Sequence, residues 1–381
     1  MKKVFFIGDN IISSLGFTAS GNFEQLKNGV TGIKRITNPE LYPEPFIASM
    51  VNRNKLQTLF PDNRYTLLEK MLILSVEDAI KNTGVDISSS KTLIVLSTTK
   101  GNIDLLDESL AAKYEKNRVY LWKLGDTIAA YFGNPNKPLV ISNACISGVM
   151  AINTAAMLLQ NDLYENIIVT GGDIVSRFVL SGFMSFHSLS PEPCKPFDAN
   201  RDGLSLGEAA GTVVMSVRPG KHKKSFVFAG GATANDANHI SGPSRTGEGS
   251  YIAIKKALQE AGINPHETDH ISAHGTATPY NDDMESIALS RHNMNNIPVN
   301  SLKGFWGHTL GAAGIIETIA LLHEMKNNIL IQTKGFSKAG TVEPLNVITQ
   351  TEKTELNTCL KMASGFGGCN AALIVKKQMD D

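Results

Sequence analysis

Pro138-Leu-Val-Ile-Ser-Asn-Ala-Cys145-Ile-Ser-Gly148 is a short apolar run that meets small residues and then enters the amphipathic stretch 149–160. This pattern predicts a β-strand followed directly by a helix, with Cys145 at the corner between them. A thiol at a helix N-terminus lies at the positive end of the helix dipole, so we expect a lowered pKa and a nucleophilic side chain. The segment alone leaves a second interpretation open, in which Cys145 is a small buried apolar residue.

Strand-like and helix-like segments alternate along the rest of the chain. Apolar runs typical of strands occur at 3–8, 92–97, 139–142, 167–170, 210–217, 224–230, 270–273 and 371–375. Helical periodicity follows several of them and is longest at 312–325. This alternation predicts an α/β fold with parallel strands. A Lys-rich turn after Gly220 is the candidate boundary between two lobes, 1–222 and 223–381.

Composition and charge exclude several classes of protein. The chain has 381 residues, 42% hydrophobic and 19% charged, and Lys plus Arg equals Asp plus Glu at 36 each. This balance gives no global attraction to nucleic acid or to an anionic membrane, so neither is an expected partner. No window approaches the roughly 20 apolar residues that cross a bilayer. The cysteines form no CxxC pair, which favours reduced thiols and a cytoplasmic location.

Three further segments place polar side chains where loops leave secondary structure. They are Ile271-Ser-Ala-His274-Gly275-Thr276-Ala277-Thr278-Pro279-Tyr-Asn-Asp282, Asn300-Ser-Leu-Lys303-Gly-Phe-Trp-Gly307-His308, and Met362-Ala-Ser-Gly365-Phe366-Gly367-Gly368-Cys369-Asn370. Each histidine taken singly is more often structural than catalytic. The spacing offers no HxxxH metal pair and no glycine motif for phosphate or dinucleotides, so we expect neither a metal nor a nucleotide cofactor.

Taken together, the four segments resemble the β-ketoacyl-acyl carrier protein (ACP) synthases of the elongating class, which use one cysteine and two histidines. The resemblance covers nearly the full length, and the stretches 5–16 and 195–208 also agree with it. It implies a duplicated thiolase-like fold, a five-layered α-β-α-β-α sandwich. The half 1–222 then carries the cysteine, and the half 223–381 carries both histidines.

The resemblance also implies an activity, the decarboxylating Claisen condensation of an acyl thioester with malonyl-ACP. The product is a β-ketoacyl-ACP, as in fatty acid, polyketide or aryl polyene synthesis. Substrates are carried on the phosphopantetheine of an acidic acyl carrier protein, and no other cofactor is expected. The working enzyme is expected to be a homodimer, or a heterodimer with a related ketosynthase-like subunit.

Residue roles follow from the matched positions. Cys145 matches the acyl-accepting nucleophile, and His274 and His308 match the pair that stabilises the enolate. The resemblance places an oxyanion hole at the backbone N–H groups of Cys145 and Phe366, and counts Lys303 among the catalytic residues. The remaining matched positions are Thr276 and Thr278, which contact the pantetheine arm, and Asp282 and Glu317, which orient the histidines. Phe305, just before His308, is either part of an aromatic wall of the substrate pocket or a core residue.

One departure from the family pattern bears on the substrate. Many relatives have a second phenylalanine, thought to gate the acyl pocket, at the position where this chain has Ser364. A smaller gate admits bulky, aromatic or polyene acyl groups, which indicates a specialised synthase. In the alternative interpretation, Phe305 and Trp306 fill the space. A basic rim is also expected for docking of the acidic carrier protein, with Arg53, Lys55, Arg64 and Lys70 as candidates.

Two other interpretations remain. A non-catalytic partner resembling a chain-length factor usually lacks the nucleophilic cysteine, whereas this chain retains Cys145 and both histidines. A thiolase carries a second catalytic cysteine in a glycine-rich C-terminal turn, and Cys369 lies in such a turn. The ketosynthase signature usually has threonine there, and a histidine pair serves decarboxylation, so we favour the synthase over both.

Overall fold

A computed structural model of the chain describes residues 2–220, 225–236, 242 and 244–378. The helices are α1 (Ala19–Lys27), α2 (Arg53–Leu59), α3 (Leu67–Ile80), α4 (Glu108–Ala111), α5 (Leu121–Tyr131), α6 (Ser147–Gln160), α7 (Arg177–Ser185), α8 (Glu248–Ala261), α9 (Pro279–Arg291), α10 (Lys303–Trp306) and α11 (Ala313–Asn327). The strands are β1 (Val4–Ser13), β2 (Ile33–Ile36), β3 (Phe46–Ser49), β4 (Thr92–Ser97), β5 (Leu139–Ile141), β6 (Asn166–Asp173), β7 (Leu206–Gly207), β8 (Ala209–Ser216), β9 (Ser225–Asn235), β10 (His270–Ser272), β11 (Pro298–Asn300), β12 (Ile329–Leu330), β13 (Asn346–Val347), β14 (Glu352–Lys353), β15 (Thr358–Gly365) and β16 (Cys369–Gln378).

The same strand topology occurs twice. The first half has the order β5-β4-β6-β8-β1, and the second half has the order β11-β10-β15-β16-β9. In each set the first three strands are parallel to one another, and the fourth strand pairs antiparallel with both the third and the fifth. The prediction of parallel strands is therefore wrong for β1, β8, β9 and β16. A short antiparallel pairing of β1 with β9 joins the two sets edge to edge.

Helices form three layers around these strands. In the middle, α6 packs on β4 and β6 of the first set and on β9 and β16 of the second, and α11 packs on β1, β8 and β15. The outer faces are covered by α3 and α5 on one side and by α8 and α9 on the other. Almost every residue of α11 up to Met325 is buried, because sheets cover both of its faces. The result is the five-layered sandwich that the resemblance implied.

The predicted boundary between residues 222 and 223 lies outside the described residues, as does the first residue of the strand predicted at 224–230. Within the described ranges, no helix combines the length and the apolar character that a bilayer crossing requires.

Strand order brings the four sequence segments to one place. Parallel strands present their carboxyl ends at the same edge of a sheet, and loops at that edge commonly carry functional residues. β5 leads into the Cys145 corner, β10 leads into the His274 loop, and β11 leads through α10 to His308. The two central helices, α6 and α11, begin directly after these loops, so they fix the positions of Cys145 and His308.

Candidate active site

A strained turn presents the Cys145 thiol. Ala144 has φ of 44°, in the left-handed region that residues with a Cβ rarely adopt. The hydroxyl of Ser147 stabilises this turn, because it accepts the N–H of Asn143 at 2.8 Å and donates to the Ala144 carbonyl at 2.6 Å. The corner predicted from the sequence is therefore present, with Cys145 just before the first turn of α6.

The expectation that the pKa of this thiol is lowered is wrong. Burial, and secondly the neighbouring Cys369 thiol, raise the pKa of Cys145 to about 12. Desolvation disfavours a thiolate, and here it outweighs the helix dipole on which the expectation rested. The Cys145 thiol is therefore protonated at neutral pH.

Both histidines present an N–H group to the same space. The ammonium of Lys303 lies 3.3 Å from Nδ1 of His274, and the N–H of Leu310 donates to Nδ1 of His308 at 3.3 Å. An ammonium and an amide N–H are donors only, so each Nδ1 accepts and each Nε2 carries the proton. Burial, and after it the charge of Lys303, lower the pKa of both histidines well below the usual value. The two rings are therefore neutral donors.

Cys145, His274 and His308 meet in space although they are distant in sequence. The Cys145 Sγ and one ring nitrogen from each histidine all lie within 4.8 Å of one another. The Nε2 of His308 is buried and has no hydrogen-bond partner among the described residues. A thiol and two imidazoles can also hold zinc. Here a metal at Nε2 would require a proton on Nδ1, which the donors Lys303 and Leu310 oppose.

Lys303 and Glu317 lie behind the histidines. The Lys303 ammonium donates to the His274 carbonyl at 2.6 Å and to Glu317 at 2.7 Å, and it is fully buried. A second buried lysine, Lys361, lies 2.6 Å from the other oxygen of Glu317. Sequence reasoning missed Lys361, which stands just outside the glycine-rich segment.

Two buried carboxylates hold the loop that follows β10. Glu285 accepts the N–H groups of His274 and Gly275 at 2.7 and 2.6 Å. Asp282 accepts the N–H groups of Thr276 and Phe197 at 2.9 and 2.8 Å, and burial followed by the charge of Glu285 raises its pKa to about 7. Asp282 thus orients the loop, and Glu285, which sequence reasoning missed, contacts the histidine backbone directly.

A cavity of about 370 Å³ opens over this group. Its walls include Cys145, His274, His308, Thr276, Thr278, Ser364, Phe366 and Cys369. The two threonine hydroxyls are 2.8 Å apart, and Ser364 donates to Asn370 at 2.9 Å. This volume lies within the range of small-molecule sites. The structure therefore brings most of the expected residues to one cavity.

One wall of the cavity is aromatic. The Phe366 ring stacks on Phe183, with centroids 5.9 Å apart, and meets Phe186 edge-on at 5.5 Å. All three rings line the cavity, and Phe183 and Phe186 come from the end of α7. Sequence reasoning missed these two, because nothing in the segment 177–186 marks them apart from core residues.

The Cys145 and Phe366 peptides approach each other closely. A Cβ added to Gly365 would lie 2.9 Å from the Cys145 nitrogen, so only glycine permits this approach. Within the described part of the chain, neither the Cys145 nor the Phe366 N–H donates a hydrogen bond. Two free donors beside a nucleophile are what an oxyanion hole requires.

Three expected positions differ in the structure. Phe305 does not line the cavity; it is fully buried in the hydrophobic core, because α10 turns it inward and its carbonyl accepts the Gly32 N–H. Lys70 is only 6% exposed, with its ammonium held by Gln57 and Asn63. Arg53 is 39% exposed and pairs with the buried Glu208, whereas Arg64 is 82% exposed although it pairs with Asp62. Of the four basic-rim candidates, Lys55 and Arg64 remain.

Two family models match the chain, "Beta-ketoacyl synthase, N-terminal domain" over residues 1–218 and "Beta-ketoacyl synthase, C-terminal domain" over residues 225–337. The chain belongs to this family. It is 27% identical to the putative mitochondrial 3-oxoacyl-[acyl-carrier-protein] synthase of Schizosaccharomyces pombe, over 99% of both chains. It is 34% identical to 3-oxoacyl-[acyl-carrier-protein] synthase 2 of Rhizobium meliloti, over 64% of this chain and 61% of that protein.

Solved ketosynthases share the fold. A chain of the Xenorhabdus doucetiae complex of the ketosynthase ApeO with its chain length factor ApeC gives a TM-score of 0.87 at 25% identity, over 99% of this chain and 98% of that chain. The ishigamide ketosynthase/chain length factor gives a TM-score of 0.89 at 25% identity, over 98% of this chain and 99% of that chain. The duplicated thiolase-like fold is thus confirmed. The chain is a β-ketoacyl-ACP synthase, an acyltransferase that condenses an acyl thioester with malonyl-ACP and releases carbon dioxide.

Proposed function

We propose that this synthase elongates bulky or aromatic acyl groups, with Cys145 as the acyl acceptor and His274 and His308 as the donors that stabilise the enolate. One observation carries the assignment of roles: the thiol and both imidazoles converge within 4.8 Å at the cavity floor. No cofactor is needed beyond the phosphopantetheine of the carrier protein. We also assign the enzyme to the cytoplasm.

In the first half-reaction, the acyl group moves from the carrier to the enzyme. The Cys145 sulfur attacks the thioester carbonyl, the bond to the pantetheine sulfur breaks, and the thiol proton leaves with the carrier thiol. The N–H groups of Cys145 and Phe366 hold the oxyanion of the tetrahedral intermediate. One thioester is made as another is broken, so the cysteine serves both as nucleophile and as later leaving group.

In the second half-reaction, malonyl-ACP occupies the cavity and loses carbon dioxide. The electrons of the broken C–C bond move onto the thioester oxygen, where the Nε2–H groups of His274 and His308 stabilise the negative charge. The enolate carbon then attacks the Cys145 thioester, and the sulfur departs as the β-ketoacyl-ACP forms. Intact-mass and carbon dioxide measurements on one sample test both half-reactions.

The proposed preference for aromatic acyl groups rests on two features of the cavity wall. Ser364 is smaller than the phenylalanine that many relatives have at this position, and the rings of Phe183, Phe186 and Phe366 line the same cavity. Aromatic and conjugated groups stack on such rings with energies of about 0.5–1.5 kcal/mol beyond simple burial. A flat unsaturated acyl chain fits this combination better than a saturated one.

Filling the gate tests this specificity. We expect Ser364→Phe to reduce acylation by an aromatic enoyl-ACP by at least about tenfold, because the new ring occupies the space beside Phe366, while a two-carbon acetyl-ACP still reacts. Initial acylation rates by intact mass measure both.

Ser364→Ala is the matched control, since it removes the hydrogen bond to Asn370 without adding volume, and it should retain both substrates. The specificity proposal fails if the wild-type enzyme extends saturated straight-chain acyl groups as readily as aromatic ones.

A ketosynthase-like partner subunit is the second part of the proposal. Both similar ketosynthases described above carry a chain length factor in their names. In this chain β5 lies at the outer edge of its sheet, and exposed apolar residues stand near it, with Leu139 38% exposed. Tyr120 and Trp122, stacked on each other, are also exposed just before and within α5, which packs on β5. We propose this edge as the subunit contact, homomeric or heteromeric.

Carrier-protein docking is proposed at Lys55 and Arg64. Reversing both charges, Lys55→Glu with Arg64→Glu, should raise the KM for carrier-bound substrate about tenfold, because the carrier is acidic and its approach is electrostatically steered. The turnover of a free acyl thioester should not change. Lys326→Glu at the far end of α11 is the control. Equal effects on the carrier-bound and the free thioester would show that Lys55 and Arg64 do not bind the carrier protein.

A further inference from the structure

A buried lysine lies directly behind the two histidines and outside every recognised motif. Lys361 on β15 is fully buried, and its ammonium donates to the carbonyls of Ser272 and Ala273 at 3.2 and 3.0 Å. These carbonyls end the segment that delivers His274. The same ammonium lies 2.6 Å from Glu317. Lys361 therefore contacts both the backbone before His274 and the carboxylate that holds Lys303.

Four buried charged groups meet at this position. Glu317 bridges two ammonium groups, with Lys303 at 2.7 Å from one oxygen and Lys361 at 2.6 Å from the other. Glu285 accepts the N–H groups of His274 and Gly275. Burial raises the pKa of Glu285, and the positive charges of Lys303 and Lys361 oppose that rise. Two lysines thus face two carboxylates, and Lys361 completes the balance. The neighbouring carboxylate, Asp282, has its own cation in Arg201 at 3.9 Å.

We propose that Lys361 is a positioning residue for decarboxylation. Its positive charge balances the second of the two buried carboxylates, Glu317 and Glu285, so that the electrostatic potential behind the histidines does not become negative. An enolate places negative charge on the thioester oxygen as carbon dioxide leaves. An uncompensated buried carboxylate nearby would raise the energy of that anion, because little water screens it. Lys361 does not line the cavity, so it acts through His274 and Glu317. The inference rests on the histidine roles proposed above.

Lys361→Met removes the charge and keeps an unbranched apolar side chain. We expect the kcat for malonyl-ACP decarboxylation to fall at least about tenfold, with the KM unchanged within about twofold. Acylation of Cys145 should stay within about threefold of wild type, since backbone N–H groups serve that step. Lys376→Met is the matched control: this half-buried lysine on β16 contacts the Ala261 carbonyl, away from the cavity, and should change neither step.

A double variant separates charge balance from simple packing. Lys361→Met combined with Glu317→Gln removes one charge of each sign, so it should decarboxylate faster and melt higher than Lys361→Met alone. Equal losses of acylation and decarboxylation in Lys361→Met, or a double variant slower than either single one, would overturn the proposal. If Lys361→Met does not fold, a folded and active double variant supports charge balance, and an unfolded one contradicts it. Absence of carbon dioxide release by the wild-type enzyme would instead contradict the histidine roles.

Discussion

Cys145→Ala should abolish the acyl-enzyme and reduce condensation by about 10³-fold or more, because Cys145 is the thiol that lies beside both histidines and accepts the acyl chain. Decarboxylation of malonyl-ACP should persist within about threefold, since His274 and His308 keep their N–H groups. Intact mass after incubation with acyl-ACP measures the adduct, and released carbon dioxide measures the second step.

Cys369→Ala is the matched control for this prediction. Cys369 lines the same cavity and donates to the Phe366 carbonyl at 3.2 Å, so it is the other thiol within reach of a substrate. The adduct should remain in this variant. An adduct that persists in Cys145→Ala and disappears in Cys369→Ala would show that Cys369, and not Cys145, is the acyl acceptor.

His308→Ala should reduce decarboxylation by about 10²- to 10³-fold, the usual loss when one preorganised donor to a developing oxyanion is removed. The Nε2 of His308 has no partner among the described residues, so the side chain has a free donor for the substrate. Acylation of Cys145 should continue, because the oxyanion of that step faces the backbone N–H groups.

His323→Ala serves as the control for His308→Ala. His323 lies far along α11 and pairs with Asp9 at 2.9 Å, outside the cavity. It should leave both half-reactions unchanged. A His308→Ala enzyme that releases carbon dioxide at the wild-type rate would show that the enolate is stabilised elsewhere.

The sequence predicts the position of a site residue well where one short segment contains both the strand or helix and the loop that carries the residue. Cys145 and His274 directly follow strands, and His308 follows the short helix after β11. Glycines or small residues stand beside all three, so their positions near the strand ends can be predicted from the local sequence pattern. Their convergence depends on the duplicated sheet, which the family resemblance supplied and local periodicity did not. Periodicity also failed to distinguish the antiparallel strands. β8 is buried along its whole length and β16 over residues 369–375, so neither shows the alternating exposure of a one-sided antiparallel strand.

Other parts of the site depend on contacts between distant segments. Glu285 and Lys361 reach the histidines from α9 and β15, and neither stands in a recognisable motif. Phe305 stands close to His308 in sequence, but the single turn of α10 directs its ring into the core. The pKa of Cys145 depends on burial in the folded chain, whereas the sequence showed only a helix start.

A single-turnover reaction tests the division of roles most directly. Wild type, Cys145→Ala and His308→Ala are each mixed with acyl-ACP and malonyl-ACP, and adduct mass and carbon dioxide are followed in the same sample. We expect an adduct in wild type and His308→Ala but not in Cys145→Ala, and rapid carbon dioxide release in wild type and Cys145→Ala but not in His308→Ala. If both folded variants lost both steps, or if neither variant lost either step, separate roles for the cysteine and the histidine would be contradicted.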